Sequence, residues 1–280
     1  MAETSLSNQN LRTEALHASR TYLAIAALWI RAAWSYRGSF WMLMLGRFLL
    51  TGIDFVAIAI AFGGTDTAIG GFGLREVALL YGLTGVGLGA ADTLIGSVER
   101  IGTYIRTGTL DQMLTRPVPV LVQICADQFT LRRLGRITQA AVVLAWGAGA
   151  VDWDPGKVVL AVVTLVSATV LFLGLFIGCS SIQFWTTDSS EFANAFTYGG
   201  STLTQYPLTI LPREVLLALT FLLPVAFVNW YPALRLLERE DPFGLPAALQ
   251  FGGPVAAALV MAVALSVWRT GMRRYTSTGS

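Results

Sequence analysis

The chain is 280 residues long, 54% hydrophobic and only 13% charged, with a formal net charge of +2. A globular domain carries about 25% charged residues, so this composition argues against a soluble fold, in which too few charges would cover too much surface. The small net charge and the scattered arginines argue equally against a nucleic-acid partner.

Taken in chain order, residues 1–19 are polar and lack an apolar stretch with a small-residue cleavage site, so they are expected to be a disordered cytoplasmic tail. Residues 20–39 mix leucine and alanine with Trp29, Arg31, Trp34, Tyr36 and Arg37, which suits a helix lying in the headgroup layer. Crossing a bilayer takes about 20 mostly apolar residues. Such stretches run from about Phe40 to Phe62 and, rich in glycine, from about Val77 to Val98. A third, about Leu134 to Val151, is shorter, and a fourth, about Val158 to Phe184, is the most hydrophobic. The fifth is expected from about Val215 to Tyr231, kinked at Pro224, and the last from about Ala247 to Trp268. Six spans make an all-α integral membrane domain over residues 40–268, followed by a cytoplasmic tail, 269–280.

Arginine placement sets the orientation. With both termini inside, the inner segments hold fourteen arginines, Arg213 among them, whereas the outer loops hold Arg75, Lys157, Arg235 and Arg239. The polar stretch from Gln183 to Pro212, with Asp188, Glu191, Phe192 and Phe196 at helical spacing, is expected on or just inside the inner membrane surface. The outer loop from Pro232 to Pro246 carries Leu234, Leu236 and Leu237 and is expected to pack against the mouth of the bundle.

Charges inside spans cost roughly 2.5–3.5 kcal/mol each at mid-bilayer on insertion scales. Asp92 lies in the second span, and Arg47 and Asp54 share a face of the first. Asp92 or Asp54 reads either as a contact for a transported cation or a proton relay, or as a structural partner of arginine or backbone groups in the bundle interior. Gly85 and Gly89, and Gly174 and Gly178, form small-xxx-small pairs suited to close helix packing. Asp92, Gly85, Gly89 and Pro224 are the candidates for lining a transport path. His17 is the only histidine, and Cys125 and Cys179 stand apart in apolar surroundings, so neither a metal centre nor a Ser/His/Asp set is expected. A phosphate-cradling P-loop needs G-x-x-x-x-G-K-[ST]. The single lysine, in Asp154-Pro155-Gly156-Lys157-Val158, lacks the upstream glycine and the hydroxyl.

The loop over residues 99–133 is the most informative stretch. Glu99 and Arg100 open it, Gly102 and Gly108 allow turns, and Tyr104, Ile105, Arg106 and Leu110 offer apolar and charged groups of the kind that dock on a second protein. Its run IRTGTLDQMLTRPVPVLVQI resembles the G-x-L-D-x-x-L-x-R-P signature of type-2 ABC transporter permeases, through Gly108, Leu110, Asp111, Leu114, Arg116 and Pro117. The six-span layout, interfacial N-terminal helix and charged outer loop extend the likeness over nearly the whole chain. The resemblance implies a bacterial plasma-membrane exporter subunit, of multidrug type, whose inner loop is a coupling helix. It implies as partners two copies of an ABC ATPase that hold ATP and magnesium, a second permease, identical or related, and membrane lipids. The rival readings are an ion-coupled secondary transporter, which would need paired broken helices or inverted repeats with midplane ion ligands, neither apparent in the sequence, and a non-transporting scaffold.

Overall fold

The computed structural model describes residues 20–32, 34–62, 70–127, 133–186 and 195–276. The tails 1–19 and 277–280, and Asp188, Glu191 and Phe192, lie outside them. Helix α1 covers residues 20–32, and α2 spans Arg37–Ala61. Next come α3 (Leu74–Ile95), α4 (Ile101–Arg106), α5 (Thr109–Leu114), α6 (Val120–Ala126), α7 (Leu134–Gly147) and α8 (Pro155–Ser181). The chain ends with α9 (Gly200–Thr204), α10 (Arg213–Leu217), α11 (Trp230–Leu236) and α12 (Gly253–Arg274). Helix α8 starts where a sequence signal places it: Asp154 accepts from the Lys157 amide at 2.9 Å, with Pro155 in the first turn.

Helix α3 is the hub of the bundle and the most buried of the long helices. Its small residues permit this. A Cβ on Gly82 would come within 2.6 Å of the Leu144 backbone, one on Gly85 within 2.7 Å of the Ala140 Cβ, and one on Gly89 within 2.8 Å of the Ile137 side chain, all on α7. Gly87 meets Ala168 of α8 in the same way. Gly174 and Gly178 pack α8 onto Val260, Met261 and Ala264 of α12, so that pair serves packing within the subunit. Replacing Gly82 by alanine should therefore cost about 1–3 kcal/mol, because backbone rather than a flexible side chain lies in the way. Thermal unfolding in detergent should show the loss for Gly82→Ala and none for Gly38→Ala, whose Cβ would meet nothing within 4 Å.

Helix α2 is the least buried of the long helices and presents Met42, Leu50, Ile53 and Ile60 outward, as lipid requires. With α3, α8 and α12 it makes four described helices long and apolar enough to cross a membrane. The expected third span, α7 with a 3-10 turn over Ala148–Ala150, is shorter but is clamped along α3.

The fifth expected span is corrected. The chain breaks at Leu223 and Pro224, and the axis turns by 79° between Arg213–Leu222 and Val225–Leu236. Both arms return to the same end of the bundle. Thr209 donates to the Gly70 carbonyl at 2.8 Å just before the first arm, and Arg239 grips Glu76 at 2.9–3.0 Å just after the second. The segment is thus re-entrant, with Pro224 at its tip. Arg213 therefore lies at the same end as Arg75, Lys157, Arg235 and Arg239, not with the other arginines it was grouped with. The stretch ending at Pro212 does not lie flat either. Gln183 packs against the 99–106 stretch at one end, Thr204 faces Thr84 at 3.4 Å, and Thr209 reaches Gly70 at the other end. Residues 195–206 therefore pass through the bundle and take the place assigned to the fifth span. Hydropathy misses them because the polar residues Ser201 and Thr204 are buried in the protein interior, with Gln205 and Tyr206 half-buried beside them.

At that far end α11 buries Trp230, Leu234 and Leu236, so the start of the Pro232–Pro246 loop packs against the bundle as expected. A hydrogen bond from Lys157 at 2.9 Å holds the Glu238 carboxyl below the usual carboxylate range.

Candidate functional site

The helical path of α3 does not stop at Ile95. It runs through a 3-10 turn, Gly96–Arg100, into α4, giving a helical rod from Leu74 to Arg106. Thr107 and Gly108 end it. Gly108 sits at φ +67°, a left-handed conformation that side chains other than glycine resist, and this lets α5 begin at once in a new direction. A tight turn around Arg116 and Pro117 then leads into α6.

Two buried glutamines fix this shape. Gln183, just past the end of α8, accepts from the Gly102 amide at 2.8 Å and donates to the Glu99 carbonyl at 3.1 Å. Gln123 of α6 donates to the Met113 and Val118 carbonyls at 2.9 and 2.8 Å, closing the turn that carries Arg116. The Tyr104 hydroxyl donates to Asp127 at 2.6 Å. None of the three partners, Gln123, Gln183 and Asp127, is in the signature. The sequence cue was a lone amide inside apolar runs, VLVQICA and SSIQFW, because a buried amide needs partners.

Burial sorts the motif residues into two sets. Tyr104, Ile105 and Leu110 are buried in the loop's own core, at 6%, 4% and 0% exposure, so they shape the loop and do not offer themselves to a partner as anchors. Exposed instead are Arg100, Arg106, Leu114, Arg116 and Pro117. Asp111 is half-buried and accepts a 3.0 Å hydrogen bond from the Tyr275 hydroxyl, which ties α5 to the end of α12. Partial burial, and then this bond, push the Tyr275 phenol above its ordinary value.

A second polar group lies where α3 meets the loop. Asp92, 3% exposed, is bound by Arg133 at the start of α7: Nε lies 3.3 Å from Oδ1, and Nη1 donates to the Asp92 carbonyl at 2.8 Å. The Tyr198 hydroxyl stands 3.5 Å from the same Oδ1, and Arg136 lies over the Tyr198 ring at 5.1 Å. Glu99 Oε1 and Arg136 Nη1 are buried with no hydrogen-bond partner among the described residues. Asp92 is thus buried and paired with Arg133 in this structure. Gly89 is closed over by Ile137, Gly85 lies beside a polar cavity, and Pro224 borders an apolar groove between α8 and α12. Among the described residues no set of three or more His, Cys, Asp or Glu could hold a metal ion.

Residues 48–279 match a family model described as ABC-2 family transporter protein, a stretch that takes in every element from the middle of α2 onward. No curated protein and no solved structure matches the chain.

Proposed function

The chain belongs to the ABC-2 transporter family, and from that premise we propose that it is the permease subunit of an ATP-driven bacterial exporter. Two such subunits, identical or related, form the path in the plasma membrane. Two copies of a separate ABC ATPase, holding ATP and magnesium, dock beneath them. Both termini and the 96–127 loop face the cytoplasm, in keeping with the arginines gathered at that end.

One observation carries this reading: the central helix of the bundle continues through a single 3-10 turn into the loop as one helical stretch, Leu74–Arg106. A rod from Leu74 to Arg106 turns a push on α4 or α5 into a tilt of α3, and α3 is packed backbone-close against α7 and α8. Gln123 and Gln183 keep the loop from absorbing that push as local bending. The face left outward by α5 and its turn, with Leu114, Arg116 and Pro117, pairs an apolar contact with a charge, as interface centres commonly do.

Cross-linking tests the docking. In a Cys125→Ala, Cys179→Ala background, Leu114→Cys should cross-link to an ABC ATPase that co-purifies with the chain from its native host. Leu110→Cys, buried in the loop, and Gln250→Cys, at the far end, should not. Correctly inserted protein that gives no adduct from position 114 would overturn the proposal.

A further inference from the structure

The membrane-embedded region contains a cavity of about 260 Å³ with polar walls. It lies between α2, α3, α7 and the 195–206 segment. Each wall contributes residues at helical spacing: Thr51 and Asp54 from α2, Arg136 and Gln139 from α7, and Tyr198, Ser201, Thr202 and Gln205 from the passing segment. The walls are pinned together, since the Tyr81 hydroxyl contacts both the Thr51 carbonyl at 2.9 Å and Gln139 Oε1 at 3.2 Å. Asp54 and Thr202 line the cavity and are exposed, which marks its mouth.

Two charged groups line it, Arg136 within and Asp54 at the mouth. Arg136, whose guanidinium covers the Tyr198 ring, keeps Nη1 buried with no hydrogen-bond partner among the described residues. Asp54 makes no hydrogen bond or ion pair to any described residue, although carboxylates within membrane spans are rare and costly. An unpaired guanidinium nitrogen costs the desolvation of a charged donor, and a pocket holding one cation and one anion is not built for an apolar compound. We propose that this cavity is a solute-binding site of the transport path that takes a compact zwitterion, its carboxylate or phosphate at Arg136 and its ammonium at Asp54. The volume sits just below the range of about 300–1,000 Å³ typical of ligand pockets, which restricts the occupant to a small molecule. The depth matters as well. Arg136 lies near the start of α7, whereas Asp54 lies in the second half of α2, so the two charges stand at different heights along the bundle.

This inference rests on the permease reading but is tested without the ATPase. Purified protein in lipid nanodiscs is titrated with the dipeptide Ala-Phe, with its N-acetyl and C-amide forms, which keep one charge each, and with the doubly blocked form. The zwitterion should bind at least tenfold more tightly than either singly charged form. Arg136→Gln should erase the preference for a free carboxylate and keep that for a free amine, and Asp54→Asn should do the reverse. Both variants are checked for an unchanged elution profile, and their opposite selectivities cannot arise from misfolding. Equal binding of the doubly blocked peptide, or no binding of the panel by the parent protein, overturns the inference. If the zwitterion is selected but no ATPase cross-links at position 114, the permease reading falls and this site stands. A cross-link without selection leaves the opposite outcome.

Discussion

Replacing Arg133 with methionine is expected to destabilise the protein by about 3–5 kcal/mol, as breaking a buried ion pair from one side does. The reason is the state in which it leaves Asp92. That carboxylate is 3% exposed, and Arg133 serves it twice, through the carboxylate oxygen and through the backbone carbonyl of the same residue. With methionine in place, a buried charge faces a low-dielectric interior with only the long 3.5 Å contact from Tyr198. A loss of that size is a large share of the roughly 5–15 kcal/mol that holds a typical domain folded. Asp92→Asn alone should cost less, because the Arg133 side chain is 20% exposed and can turn its charge toward water. The double variant Asp92→Asn, Arg133→Gln should recover most of the loss, since two neutral amides can bond to each other. Thermal unfolding followed by size-exclusion chromatography in detergent ranks the four proteins. Parent-like stability of Arg133→Met would mean that the pair is ornamental.

This pair also shows what the sequence reveals and where it stops. Asp92 stands out as a charge in an apolar run, but its partner is 41 residues away, beyond a loop, and nothing local links them. The glycine stripe on α3 was legible as close packing because spacing alone puts Gly85 and Gly89 on one face. Four of the six expected spans appear as long apolar helices, for the physical reason that lipid demands an uninterrupted apolar surface. The fifth failed on that same demand. In the stretch 195–206 the polar Thr197, Ser201 and Thr204 are buried against protein, which removes the need for an apolar run, while the apolar segment with Pro224 enters and leaves by one end.

The loop divides in the same way. Its signature was visible, but sequence assigned Tyr104 and Leu110 to the outside because they are apolar and flank charges. In a small structure of short helices, apolar residues bury against one another, and what remains outward is Leu114, Arg116 and Pro117. Arg116→Glu is therefore expected to lower ATPase coupling by about thirtyfold, the equivalent of the 2 kcal/mol that defines an interface hot spot. The measurement is ATP hydrolysis by the co-purified ATPase in nanodiscs, compared with that of the ATPase alone. Charge reversal at Arg116 touches nothing that folds the loop, since its backbone is fixed by Met113 and by Gln123 acting on Val118. Thermal stability should accordingly stay at the parent value. Asp111 should behave differently, because its carboxylate is a tie to Tyr275. Tyr275→Phe should reproduce at least part of the coupling loss of Asp111→Asn, and neither should alter the affinity of the loop face as steeply as Arg116→Glu. If Tyr275→Phe is silent while Asp111→Asn uncouples, the tie to Tyr275 is not what Asp111 contributes to coupling.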